Sequence, residues 1–201
     1  DPAFAYELAV IVRHGMNQMF RDGEDVFYYI TVMNEKYEMP PMPGGVEEGI
    51  VNGLYRFRKC EKCNNKKVHL MGSGAIMNEV IKAAEMLRYD FDIPTDIWSV
   101  TSYKALYDDA RETVRWNRLN PGKERKSYIE QTLENEEGLF VAASDYMKAL
   151  PLSVAHWIPG NLTVLGTDGY GRSGDRASMR DYFEVDDRHI AWAAMHALYK
   201  E

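Results

Sequence analysis

From Val68 to Tyr199 the chain alternates short apolar runs with longer stretches of helical period, and that alternation leaves few folds open. Strands are expected at Val68–Met71, Asp96–Val100, Leu139–Ala143 and Leu162–Leu165. Helices are expected at Gly74–Arg88, Lys104–Arg118, Ser127–Asn135, Tyr146–Trp157 and His189–Tyr199. In the first of these helices Ile76, Val80, Ala83, Ala84 and Leu87 share one face. Strands separated by helices are joined by right-handed crossovers, which give a mostly parallel sheet covered on both faces. One more strand, Ile50–Arg58, is separated from Val68 only by the polar stretch Cys60–Lys66, a closeness that favours an antiparallel pair. The expected fold is α/β: a three-layer, mostly parallel sheet with an antiparallel edge strand.

Ahead of that domain lie a helical pattern from Ala3 to Met19 and a strand-like run from Val26 to Met33. The stretch MPPMPGG then blocks both helix and strand, which places a domain boundary near Pro43. Residues 1–43 read as the end of a preceding domain with its linker, and residues 44–201 as the main domain. Apolar residues make up 45% and charged residues 27%, enough for a sizeable core, and no apolar run is long enough for a membrane span or a secretion signal. The formal charge of −7 argues against a nucleic-acid surface. Two cysteines suit a reducing compartment, and the expected location is the cytoplasm.

The densest chemistry lies between Leu165 and Ile190. Four glycines, from Gly166 to Gly174, permit a tight polar crossing after a strand. Asp168, Arg172, Asp175 and Arg176 crowd it with opposite charges, read as one structural network, and Arg180 follows close behind. Cys60-Glu61-Lys62-Cys63 is one Cys-x-x-Cys with His69 nearby and no second pair. Two ligands do not close a zinc site, so both thiols are expected to be free and metal-free. A redox pair and a four-sulfur zinc site shared by two protomers are the alternatives. The five histidines are scattered and read as packing or surface residues, no Ser–His–Asp or Cys–His triad assembles, and the Gly72-Ser73-Gly74 turn is weak evidence for an anion site.

As a pattern of letters the chain resembles the homodimeric type of pyruvate dehydrogenase decarboxylating component. The segments that carry the resemblance are LGTDGYGRSGDR from Leu165, DPAFAYELAVIVRHG from Asp1, VFYYITVMNEKYEMPPMPGGVEEGI from Val26, LMGSGAI from Leu70, DIWSVTSY from Asp96, RWNRLNP from Arg115 and AASDYMKAL from Ala142. They cover nearly the whole chain in family order. The resemblance implies a transketolase-like subunit of three α/β domains that decarboxylates pyruvate on thiamine diphosphate with Mg²⁺ and acetylates the lipoyl group of the next component. It also implies a homodimer, a lipoyl-bearing acetyltransferase partner, and contacts with the upstream domains of the same subunit.

With 201 residues there is room for one such domain and a little more, and the sequence begins without methionine inside a family motif, so it reads as a fragment. On the resemblance, residues 1–43 end the middle domain and 44–201 form the transketolase-like C-terminal domain, serving dimerisation and access to the active site. No Gly-Asp-Gly metal motif is present, so the fragment alone is expected to hold no cofactor and to be inactive. Asn34, Glu35, Tyr37 and Glu38 fall where the family's loop approaches the substrate, an active-site edge. The bland alternative is a solvated loop. Some relatives carry His where this chain has Glu38, and a carboxylate cannot donate unless protonated. Two further departures are Gly174, which intervenes before Asp175, and an end soon after the last helix. The competing readings are a non-catalytic binding or scaffolding module of the same architecture and a dehydrogenase for a related 2-oxoacid.

Overall fold

The computed structural model describes residues 1–60 and 67–200. A five-stranded sheet forms its centre: β1 (Tyr55–Arg58), β2 (Val68–Gly72), β3 (Thr95–Ser99), β4 (Leu139–Ala143) and β5 (Leu162–Leu165), in the order β1-β3-β2-β4-β5. The β3–β2–β4–β5 pairs are parallel, and β1 runs antiparallel on the outer edge of β3. The fold class agrees with the expectation, but the edge strand's partner does not. Both sides of β2 are taken by β3 and β4, so β1 pairs with β3 through Tyr55↔Ser99 and Arg56↔Trp98 rather than with its sequence neighbour.

Strand alternation builds two cores. Val68, Leu70, Ile97, Val141 and Ala143 point to one face, where α3 (Met77–Phe91) and α8 (Asp187–Lys200) cover them with Val80, Ala84, Leu87, Ile190 and Ala194. Met71, Trp98, Phe140 and Ala142 point to the other, beneath α4 (Tyr103–Leu119) and α5 (Tyr128–Leu133) with Leu106, Ile129 and Leu133. The starts of α4 and α5 are chemically marked. Ser102 caps α4 by accepting from the Ala105 amide at 3.0 Å, and Glu130 reaches back to the Ser127 amide at 2.8 Å.

At the front of the chain α1 (Ala5–Met16) runs into one π-helical turn, Asn17–Arg21. The fully buried Glu7 receives the Phe4 amide at 3.1 Å, Tyr55 Oη at 2.6 Å and Ser99 Oγ at 2.7 Å, which ties α1 to the sheet edge. Burial pushes Tyr6, hydrogen-bonded to Tyr55 at 2.6 Å, up to about 12. The expected strand at Val26–Met33 is not formed. A strand needs a neighbour for its amides and carbonyls, and here the segment joins no sheet among the described residues, with Phe27 89% and Tyr29 87% exposed.

Three other segments depart from expectation. Residues 47–52 form the short helix α2 (Glu47–Asn52), not the start of a strand, and Gly53 ends it at φ +103. The helix expected at Tyr146–Trp157 shrinks to α6 (Ala149–Leu152) and a 3-10 turn at Ala155–Trp157, because Pro151 fits only a first helical turn. A short polar helix, α7 (Arg176–Tyr182), was not legible in the glycine-rich stretch; Asp175 caps it on the Ser178 amide at 3.0 Å.

Candidate functional site

In open parallel sheets ligands lodge beyond the carboxyl ends of the strands, where the strand order reverses. Here that place is the end of β2 and β4, since β3 lies on one side of β2 and β4 on the other. Ser73 and Ser144 follow the two strands and meet at 3.1 Å, both buried. The N-terminal residues sit against this end. The Asp1 amino group donates to the Thr101 carbonyl at 2.7 Å, and the Gly74 amide donates to the Asp1 carbonyl at 3.1 Å. Gly74 has φ +51, and a Cβ there would lie 2.7 Å from the Asp1 carboxylate. The GSG turn is thus occupied by a carboxylate of the chain itself.

Beside it, a cleft of about 800 Å³ opens between the segment Tyr29–Met33 and the glycine-rich crossing, with Asp145, Tyr146, Arg172, Arg176, Arg180 and Phe183 on its walls. The crossing is stapled to the loop after β4. Thr167 donates its amide to the Tyr146 carbonyl at 2.9 Å and its hydroxyl to the Asp145 carbonyl, while Asp168 takes the Lys148 amide at 2.9 Å. At Gly166 a Cβ would lie 2.6 Å from the Tyr146 carbonyl, so the close approach requires glycine.

Arg180 closes the cleft's base. Its guanidinium, 11% exposed, holds both oxygens of Glu35 at 2.6 and 3.1 Å and reaches Glu79 at 3.2 Å. Glu79 also accepts from Lys82 at 3.0 Å and from the Asp187 amide at 3.3 Å. Asp145 stands in the same field with no hydrogen bond to its carboxyl from the described residues, and burial, only partly offset by Arg180, raises its pKa above the ordinary value. A carboxyl that keeps its proton longer, in a cleft beside a fixed guanidinium, can donate as well as accept.

Asn34 and Glu35 join this site. Arg176 donates to Asn34 Oδ1 and lies 3.6 Å from Glu35 Oε2. Tyr37 instead donates to the Ala3 carbonyl at 2.5 Å, and Glu38 is exposed. The network expected among Asp168, Arg172, Asp175 and Arg176 is not formed. Asp168 pairs with Lys148 at 3.2 Å, Asp175 caps α7, Arg176 turns to Asn34 and Glu35, and Arg172 lies over the Tyr182 ring at 4.2 Å. An open crossing lets each charge find the nearest neighbour outside the loop. Sequence reasoning missed Asp145 and Glu79. The only signal was a charged residue at a strand end or an otherwise apolar helix face.

Two trios of acids and histidine lie close enough to suggest metal binding. In the first, His69, Asp96 and Glu136, the Trp98 indole can only donate, so His69 Nδ1 accepts it at 3.1 Å and Nε2 donates to the Glu137 carbonyl at 3.1 Å. Both nitrogens are thereby used, and Lys67 sits between the carboxylates at 2.9 and 2.6 Å. In the second, Arg188 bridges Asp181 at 2.7 Å and Asp186 at 2.9 Å, while His189 bonds Asp186 at 2.6 Å. In each trio both carboxylates are already engaged by a cation of the chain. Cys60 is disulfide-bonded, which corrects the expectation of a free thiol there, and its amide donates to Asp96 at 2.7 Å. Cys63 lies outside the described residues.

Comparison with known proteins gives the lineage. The pyruvate dehydrogenase E1 component middle domain matches residues 1–40, and the transketolase-like C-terminal domain matches residues 53–186. Pyruvate dehydrogenase E1 components are similar along the chain: that of Pseudomonas aeruginosa is 48% identical over 98% of it, and that of Escherichia coli K12 43% identical over all of it. The chain spans 23% and 22% of those two relatives. Among solved structures, transketolase from Leishmania mexicana superposes on 80% of this chain and 20% of its own with a TM-score of 0.54 at 14% identity. A Pichia stipitis transketolase covers 81% of this chain and 20% of its own at 0.53 and 15% identity, a likeness of fold. The chain therefore belongs to the transketolase-like C-terminal domain family and is similar, from end to end, to pyruvate dehydrogenase E1 components.

Proposed function

We propose that this chain works as the C-terminal part of a pyruvate dehydrogenase decarboxylating subunit. The whole enzyme decarboxylates pyruvate on thiamine diphosphate with Mg²⁺ and passes the acetyl group to the lipoyl arm of an acetyltransferase component. Residues 1–43 end the middle domain, residues 44–201 are the C-terminal domain, and the subunit is a cytoplasmic homodimer. This part supplies dimer contacts and one wall of the route to the active site. The observation that carries the reading is the cleft itself: one wall, Tyr29–Met33, belongs to the middle-domain match and the other, from Asp145 to Arg180, to the C-terminal match. Arg180 and Arg176 lock the two together through Glu35 and Asn34.

The residues present do not fit the cofactor's diphosphate and metal. Mg²⁺ takes oxygen ligands that are free to face it, and in both acidic trios among the described residues the carboxylates are already bridged by Lys67 or Arg188. Thiamine diphosphate and Mg²⁺ are accordingly assigned to the rest of the enzyme. Calorimetric titration of this chain with both should give no saturable heat. Put in place of the matching stretch of the Pseudomonas aeruginosa relative, the chain should sustain pyruvate-dependent reduction of an artificial electron acceptor. Stoichiometric cofactor binding by the chain alone, or a folded chimera without turnover, overturns the proposal.

A further inference from the structure

We propose that the outer face of α4 and the loop after it form a docking surface for a short, carboxylate-rich segment of another protein. Between residues 111 and 126 six cations, Arg111, Arg115, Arg118, Lys123, Arg125 and Lys126, face two acids, Glu112 and Glu124. That stretch carries +4 in a chain of −7, which leaves −11 for everything else. Arg111, Arg115 and Arg118 recur at successive helical turns on one exposed stripe, opposite the buried Leu106, Ala110 and Thr113. No carboxylate among the described residues pairs with any of the three.

Apolar side chains are exposed beside the stripe, Val114 and Leu119 flanking it and Trp116 further round the helix against Arg125 of the following loop. Val114, Trp116 and Leu119 are 47%, 40% and 59% exposed. The Arg125 guanidinium lies over the Trp116 ring at 4.8 Å, and the Arg125 backbone beneath it is held by two bonds: Asn117 receives the Arg125 amide at 2.9 Å and donates to its carbonyl at 2.8 Å. Exposed tryptophan and arginine held in place are the residue types that carry binding energy, and preorganisation lowers the cost of using them. The stripe from Arg111 to Arg118 is about 10 Å long, a match for a few residues of peptide. A duplex would extend beyond it onto the acidic remainder and be repelled. The geometry thus selects carboxylates presented by a compact segment with one apolar side chain, which approaches under electrostatic attraction and seats on Trp116.

The test uses a fluorescein-labelled synthetic peptide in which glutamates alternate with leucines, followed by fluorescence anisotropy. Saturable binding is expected, weakening roughly tenfold or more between low and physiological salt. Paired R115E and R118E substitutions should abolish it, and W116A should weaken it roughly tenfold. The distant R88E, exposed on α3, should leave it unchanged. Melting curves check that each variant is folded, since all these positions lie on the surface. The proposal is overturned if folded R115E/R118E still binds, if a glutamine-for-glutamate peptide or a phosphate polymer binds equally well, or if the same substitutions instead dissolve a self-associated form of this chain.

Discussion

At the scale of single residues, Arg180 is the charge whose loss the structure makes most costly. It is nearly buried and holds Glu35 and Glu79, themselves 20% and 7% exposed, so Arg180→Ala strands two carboxylates near each other. A loss of about 3–5 kcal/mol is expected in the denaturant midpoint analysis, and Arg180→Lys should recover only part, because an ammonium cannot grip both Glu35 oxygens in a fork. An unchanged midpoint in the alanine variant would remove Arg180 from its role as the tie between the two walls. Arg172 gives the opposite expectation. Its letters suggested a carboxylate partner in a charge network, but its observed contact is the exposed Tyr182 ring, and Arg172→Ala should shift stability by less than about 1 kcal/mol. A loss of several kcal/mol there would restore the charge network that the sequence suggested.

At the scale of elements, the strands inside the sheet and the strand-like run outside it obey the same rule with opposite results. Residues of β2 and β4 are buried along their whole lengths and hydrogen-bonded on both sides. The segment Phe27–Met33 has equally strand-like letters but no neighbouring strand. Its amides should exchange with solvent at near-intrinsic rates while those of Leu70 and Val141 exchange only through global opening, a contrast readable by hydrogen exchange and NMR. Strong protection across Tyr28–Val32 would mean that the segment pairs after all, with another copy or with part of its own chain. Helices were legible where the apolar period was long, as in α3 and α4. They were missed in α7, where seven residues with only Ala177 and Met179 apolar follow a glycine-rich stretch and only the Asp175 cap signals a start.

At the scale of the whole molecule, pH dependence separates the two ends of the sheet. Burial holds His69 below its ordinary 6.5. For Asp96 burial acts upward, but the Cys60 amide and Lys67 outweigh it and leave the carboxyl below 3.8. Both folded pKa values lie under the unfolded ones, so the unfolded chain binds protons first and stability falls on acidification, through His69 below about pH 6.5 and through Asp96 below about pH 4. Asp145 has the reverse sign. Burial raises its folded pKa above 3.8, so the folded state is disfavoured as pH rises through that value. Asp145→Asn should therefore raise the urea midpoint at neutral pH and lose that advantage below about pH 4. A gain independent of pH, or none, would show that the Asp145 carboxyl is not held in the buried, unpartnered state described.

The sequence by itself determined the alternation of strands and helices and the three layers, because apolar periodicity and glycine-rich turns are local and survive without knowledge of what packs where; the family came from the resemblance of whole segments to known sequences. It also brought Asn34, Glu35 and Arg176 into view as residues of interest. Only the tertiary structure decided that β1 pairs with β3, that Arg180 rather than Arg172 holds the cleft, and that Asp145 faces it unpaired. Ion pairing depends on which side chains come within a few ångströms, and Glu35 and Arg180 are 145 positions apart in the chain. That separation is closed by the tertiary packing of the segment before β1 against α7, which no stretch of local sequence encodes.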